Sequence, residues 1–163
     1  MISLVRLDER MIHGQVAVKW SRVLNVDRIL VANDGAASDS LVKKSLMMAA
    51  PNTVKTAIKS VDDAVRILND PRMEAHKVLV IVSRPEDLLF LAQNVQGIND
   101  VNLGNYGRIA SKVNGVSRPR IQPNLYLYEE EIEIIKKASE LVGKISYQTM
   151  PDDQPVSVSR LFK

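Results

Sequence analysis

The sequence predicts an α/β fold, with an open, mainly parallel, twisted sheet and helices on both faces, in a single domain over residues 1–163. Three observations predict it. Short β-branched runs alternate with longer stretches of helical periodicity along the whole chain. No linker, internal repeat or low-complexity tract interrupts that alternation. A chain of 163 residues can bury one sizeable core but is too short for two ordinary domains and a linker.

Each element follows in order. "ISLVRL" reads as a strand and "GQVAVKWSRVL" as a helix whose Val16, Trp20 and Val23 share one face. "RILVAN" is a second strand, and "SDSLVKKSLMMAA" a helix stopped by Pro51. "TVKTAI" is a third strand; the helix from "SVDDAVRIL" has Ser60 and Asp63 spaced for mutual capping. "KVLVIVS" is the most continuous apolar strand, and Pro85 opens the helix "PEDLLFLAQNV" at the position where its missing N–H does no harm. "DVNLGN" is another strand and "LYLY" a short one. "EEEIEIIKKASELV" is a helix with acids first and lysines later, matching the helix dipole, and "KISYQTM" is a last strand. The stretch Tyr106 to Asn124, rich in Gly, Pro, Arg and Ser, is expected to be irregular with one edge strand.

Composition narrows the function classes. With 45% hydrophobic, 25% charged and 4% aromatic residues, this is a globular chain packed on aliphatic side chains, with too few aromatics for a nucleic-acid stacking platform. The net charge of +3 is mild and its basic residues are scattered, so nucleic acid is not demanded as a partner. The absence of cysteine excludes disulfides, thiolate catalysis and cysteine metal sites. "MISLVRLDER" meets charge too early for a signal peptide, and no apolar run approaches the roughly 20 residues that cross a bilayer. The expected location is the cytoplasm.

In open α/β sheets ligands bind outside the carboxyl ends of the strands, so the loops leaving the strands are the places to search. The first of them lies in "VRLDERMIHGQV", which sets His13 and Gly14 at the start of the first helix, where unpaired N–H groups and the helix dipole favour an anion. A neutral imidazole offers one ring nitrogen as a nucleophile while the other donates a hydrogen bond that fixes the tautomer. Arg10, three residues earlier, carries a planar fork suited to phosphate oxygens, and Arg6 could supply a second. Together these describe a phosphoryl acceptor. From spacing alone, a solvated, ion-paired turn in which His13 merely caps a helix is the more ordinary reading.

Other candidates are weaker. A metal site fails, because His13 and His76 are the only histidines and neither has a carboxylate at a recognised ligand spacing. "LGNYG" resembles half of a glycine-rich nucleotide loop but lacks a third glycine and a following helix. His76 precedes a strand, at the amino end of the sheet, as an exposed loop residue. Met47 and Met48 are expected in the core. Asp34 and Arg84 each end a predicted strand on the same edge as the first loop and are supporting candidates.

"VRLDERMIHGQVAVKW", then "VAND" and "MMAAP", then "INDVNLGN" and "SYQTMPDD" closely resemble the enzyme IIB component of the mannose/fructose/sorbose family of the bacterial phosphotransferase system. The likeness runs in order over nearly the whole chain, and its specific part is the Arg-x-Asp-x-Arg-x-x-His-Gly-Gln-Val string. The stretch "NYGRIASKVNGVSRPRI" looks longer than the family's usual connection, and no residue is carried over from it. The resemblance implies an open, mainly parallel α/β fold and transient phosphorylation of His13, on Nδ1. The group would come from a phosphohistidine of the IIA component and pass to a sugar held by the membrane-embedded IIC and IID components, which recruit the protein to the membrane. In this scheme Arg10 neutralises the transferring oxygens, and N–H groups from His13 through Gly14 to Gln15 cradle them. Asp8 holds Arg6 or Arg10, and Arg6 has a secondary electrostatic role. No metal or organic cofactor is needed. Two other classes remain compatible with the residues alone: an anion-binding regulatory domain without covalent chemistry, and a basic RNA-binding protein.

Overall fold

The computed structural model describes residues 1–163. Its strands are β1 (Ile2–Leu7), β2 (Arg28–Ala32), β3 (Lys55–Lys59), β4 (Val78–Val82), β5 (Asp100–Leu103), β6 (Arg120–Gln122), β7 (Leu125–Tyr126), β8 (Lys144–Tyr147) and β9 (Val156–Ser157). Seven join one sheet in the order β3-β2-β4-β1-β5-β8-β9, parallel throughout except for β9. The helices are α1 (Gly14–Leu24), α2 (Asp34–Ser38), α3 (Ser40–Ala49), α4 (Val61–Asn69), α5 (Pro85–Asn94), α6 (Glu129–Ser139) and α7 (Val158–Leu161), with a 3₁₀ turn at Pro71–Ala75.

Helices cover both faces, as a parallel sheet requires. On one face Leu4, Ile29, Val31, Leu79 and Ile81 pack with Ala17 and Trp20 of α1, Ala36 of α2 and Leu46 of α3. On the other, Val5, Leu7, Leu30, Val78, Val80 and Val82 pack with residues of α4, α5 and α6. The alternation along β1, β2 and β4 divides the two cores. β1 and β4 are hydrogen-bonded neighbours whose outgoing connections lead to opposite sides of them, β1 toward β2 and β4 toward β5. That is a topological switch point, and the loop leaving β1 stands at its carboxyl end.

Several elements differ from expectation. A short helix that was not expected, α2, precedes the predicted helix over "SDSLVKKSLMMAA", and the Asp39 carboxylate, accepting hydrogen bonds from Leu41 and Val42 N–H, starts the predicted one, α3, as a new helix. That new helix buries only Leu46, so Met47 and Met48 are exposed rather than core. In α1 Val23 also faces solvent, and the buried stripe is Ala17, Trp20 and Ser21. At α4 the capping runs one way: Ser60 Oγ accepts from Asp63 N–H, while the Asp63 carboxylate pairs with Arg66. The strand within Tyr106–Asn124 is β6, which pairs with β7 in a separate two-stranded sheet instead of extending the main one. β9, α7 and the 3₁₀ turn had no clear pattern in the sequence.

Candidate functional site

β1 carries Arg6 into the interior and delivers Asp8 to the mouth of the switch point. Arg6 is 2% exposed, beneath the α1 face, with its guanidinium 5.2 Å from the Trp20 ring centroid. It donates to the Asn102 side chain, to the carbonyls of Gln148 and Thr149 at 3.0 Å, and to Asp8 Oδ2 at 3.3 Å. Gly104 makes this possible, since a Cβ at that position would overlap the guanidinium. Trp20 Nε1 donates to the same Thr149 carbonyl at 3.0 Å, so one main-chain oxygen ties α1 and Arg6 together. Burial lowers the affinity of Arg6 for its proton, and the neighbouring Asp8 opposes that shift.

Asp8 is fully buried and has four donors around it. Oδ2 accepts from Arg6, from Asn105 Nδ2 at 3.2 Å and from His13 Nε2 at 3.1 Å; Oδ1 accepts from Arg10 N–H at 3.0 Å. Burial alone pushes the carboxyl pKa up, but the His13 hydrogen bond, the attraction of Arg6 and the Asn105 bond together hold it below the ordinary value of 3.8. A carboxylate can only accept, so Nε2 of His13 carries the bridging proton, and in the neutral ring Nδ1 keeps its lone pair. Nδ1 makes no hydrogen bond within the chain, and the His13 side chain is 22% exposed.

His13 itself caps α1 in extended backbone without a side-chain cap bond, and no acidic residue occupies the first turn. The unpaired amides at the helix start are left for an anion. Gly14 enters the helix at φ 49°, and Gly14 and Gln15 are exposed. The Arg10 side chain is exposed and makes no hydrogen bond or ion pair. The loop thus presents a lone-pair nitrogen, a free guanidinium and uncapped amides outward, over a buried arginine–aspartate base. That arrangement suits nucleophilic attack on a phosphoryl group.

Known proteins share this fold. The family described as PTS system sorbose subfamily IIB component, PTS being the phosphotransferase system, matches residues 2–163. A probable phosphotransferase enzyme IIB component of Streptococcus pyogenes serotype M6 is 36% identical over 162 residues, 99% of each chain. The chain belongs to this family. It is accordingly a IIB component of the phosphotransferase system, of the sorbose type, and a phosphotransferase. The mannose-specific EIIAB component of Escherichia coli strain K12 is 31% identical over 137 residues, 84% of this chain but 41% of that longer protein. The crystal structure of the IIB domain of the sorbose permease from Klebsiella pneumoniae superposes with a TM-score of 0.87 at 26% identity, covering 99% of this chain and 96% of that one.

Within this IIB component, the residues singled out from the sequence fall into three groups. His13, Asp8 and Arg6 form one hydrogen-bonded chain, with Arg10, Gly14 and Gln15 around its outer end. Arg6 points inward with both terminal nitrogens engaged and only the buried Nε without a partner, so it anchors Asp8 and offers no second fork to a phosphate. Asp34 and Arg84 lie on the expected edge but are bound elsewhere. The Asp34 carboxylate accepts from Val61 N–H at 2.9 Å, and Arg84 pairs with Glu86 and Asp87 at 3.5 Å each. Burial, against the attraction of Arg84, pushes the Asp87 carboxyl up to about 6. Sequence reasoning missed Asn102, Asn105, Gln148 and Thr149. "LGNYG", weighed as a nucleotide loop, instead braces the site, with Asn105 holding Asp8 by its side chain and Glu9 N–H by its carbonyl. A buried asparagine in the apolar strand "DVNL" was the available signal, since a polar group there needs a partner.

Proposed function

We propose that this IIB component is a phosphocarrier in which His13 Nδ1 accepts a phosphoryl group from a phosphohistidine of a IIA component. It then passes the group to a sugar bound by the IIC and IID membrane components. The observation that carries the reading is the Asp8–His13 hydrogen bond through Nε2, which leaves the Nδ1 lone pair without a partner in the chain, three residues along from the exposed Arg10. The fused EIIAB relative of Escherichia coli, whose name joins a IIA and a IIB part, supports a IIA donor. No helix of the chain is long and apolar enough to cross a membrane, which fits a carrier that visits its membrane partners and works on the cytoplasmic side.

In the first step the donor's N–P bond breaks while the Nδ1–P bond forms, and positive charge develops on the His13 ring. Asp8 meets that charge through Nε2–H, and Arg6 keeps Asp8 ionised. Arg10 and the first amides of α1 take up the equatorial oxygens, as positioning and charge neutralisation are most of phosphoryl-transfer catalysis. In the second step Nδ1–P breaks, the sugar hydroxyl oxygen bonds to phosphorus and gives its proton to solvent water, and the bond pair left on Nδ1 returns the ring to its neutral Nε2–H form. Donor and product of the first step are both phosphohistidines, so that step is nearly balanced in free energy.

The test is incubation with a phosphorylated IIA component followed by mass spectrometry under alkaline conditions. One phosphoryl group on the peptide containing His13 is expected. An unmodified chain that still binds phosphate would mark an anion-binding regulatory domain instead.

A further inference from the structure

We infer that Glu9 is a positioning residue for phosphoryl transfer, acting by clamping the active loop to the segment 107–118. Its carboxylate fills a concavity made by four successive main-chain amides. Oε1 accepts from Gly107 at 3.0 Å, Ile109 at 3.2 Å and Ala110 at 3.1 Å; Oε2 accepts from Arg108 at 3.0 Å and Ile109 at 3.2 Å. Successive amides converging on one anion form a strong, geometrically fixed binding nest. Glu9 is adjacent to Asp8 and Arg10, and its own N–H donates to the Asn105 carbonyl at 2.8 Å. Residue 9 is therefore held from both its backbone and its side chain, by a segment about a hundred positions along the chain.

The segment that holds it is itself fixed at its far end. Arg118 donates to the carbonyls of Ala110 and Ser111 at 2.9 and 3.1 Å and to Glu131 of α6 at 2.9 Å. It also lies over the Tyr128 ring at 4.4 Å. Val113 N–H donates to the Tyr128 hydroxyl at 2.9 Å. The clamp thus fastens the active loop to a braced element.

The active loop needs that fastening. Met11 has φ 64°, in the left-handed region that a side chain other than glycine rarely adopts. Three short-range bonds hold the loop to itself: Met11 N–H to the Asp8 carbonyl and Arg10 N–H to Asp8 Oδ1, both at 3.0 Å, and His13 Nε2–H to Asp8 Oδ2 at 3.1 Å. Met11 stands between Arg10 and His13. A loop freed at Glu9 can return Met11 to ordinary backbone, which swings Arg10 and turns the imaginary line from Asp8 to Nε2 out of alignment. Strain of this kind persists only where the surroundings hold it.

The experiment uses the full chain with Glu9→Ala, Glu9→Gln and Arg118→Met. Faster exchange of amides 107–110 in Glu9→Ala reports that the clamp has opened. The readout that a purely structural role would leave alone is the His13 ring, followed by its 15N shifts. Wild type is expected to hold the Nε2–H tautomer, and Glu9→Ala a mixture of both. Phosphorylation by phosphoramidate at saturating donor is expected to slow by about tenfold in Glu9→Ala, the scale of a modest misplacement of reacting groups. Glu9→Gln, which keeps one accepting oxygen, is expected to fall between. Arg118→Met, which loosens the brace but leaves Glu9 in its nest, is expected to give a smaller tautomer shift than Glu9→Ala. Wild-type tautomer and rate in Glu9→Ala with its clamp open would overturn the inference. So would a tautomer shift in Arg118→Met as large as in Glu9→Ala. The rate readout rests on His13 being the phosphoryl acceptor, whereas the tautomer readout does not, so failure of that reading is told apart from failure of this one.

Discussion

Two histidine–aspartate pairs sit at opposite ends of one sheet, and they differ in nearly everything but composition. At the carboxyl end His13 bonds a buried Asp8 through Nε2, with Arg6 behind it. At the amino end His76 bonds Asp27 through Nδ1 at 2.7 Å, and Asp27 has a 46% exposed side chain that also accepts from Lys77 N–H. The Asp27 carboxyl is held below its ordinary range chiefly by the His76 hydrogen bond, while Arg28 at 3.1 Å is itself partly exposed. His76 closes a 3₁₀ turn and faces no uncapped helix start. The pair of residue types is therefore not the functional unit. The ring nitrogen left free, the depth of the aspartate and the neighbouring helix terminus make the difference.

The largest effect that sharpens this contrast is all-or-none. His13→Ala is expected to take up no acid-labile phosphoryl label, and His76→Ala to label like wild type, with both variants folded by circular dichroism. Labelling that survives in the first and vanishes in the second would reverse the two sites.

Stability separates the pairs next. Arg6→Leu leaves Asp8 as an uncompensated buried charge and is expected to cost about 3–5 kcal/mol, read by urea unfolding. Arg28→Leu touches a solvent-exposed pair and is expected to cost about 0–1 kcal/mol. Equal losses would mean that burial is not what distinguishes the carboxyl end.

A third contrast is kinetic. Asp8→Asn replaces a charge-assisted hydrogen bond worth about 1.5–3 kcal/mol, so transfer is expected to slow by about ten- to a hundredfold. Asp27→Asn is expected to leave the rate unchanged. Arg10→Lys keeps the charge but loses the planar fork, and a loss of about 1.4–2.7 kcal/mol in the barrier, one to two orders of magnitude in rate, is expected. Unchanged rates in Asp8→Asn and Arg10→Lys would confine both residues to folding.

The smallest contrast is in pH dependence. Asp8 is more acidic in the fold than its ordinary 3.8, so the unfolded chain binds the proton first as pH falls. The stability Asp8 contributes is present above that value and is lost as pH drops through the lower, folded pKa. Asp27 has the same sign, but its pair is exposed, so added salt is expected to weaken its contribution and leave that of Asp8 nearly intact.

Much of this was legible in the chain, and the part that was not has a common cause. Strand and helix order came from periodicity, and the edge carrying His13 came from the topology that order dictates. Arg6 was legible in principle: in "ISLVRL" it shares the Leu4 face, and a strand central to a parallel sheet is buried on both faces. A charged residue there signals an interior anchor, not a phosphate fork. Its partners at 102, 148 and 149, and those of Glu9 at 107–110, were beyond reach because the contacts span roughly a hundred positions or more of sequence. Exposure of Met47 and Met48 was misread because periodicity names an apolar face without saying whether another element covers it.

The central claim is that the ring nitrogen turned away from Asp8 does the chemistry. Its most direct test is 15N NMR of the ring-labelled phosphorylated chain, in which the nitrogen coupled to phosphorus is identified. The expected result is a single phosphohistidine, His13, with phosphorus on Nδ1 and a proton on Nε2. Phosphorus on Nε2 of His13, or on either nitrogen of His76, would contradict the account.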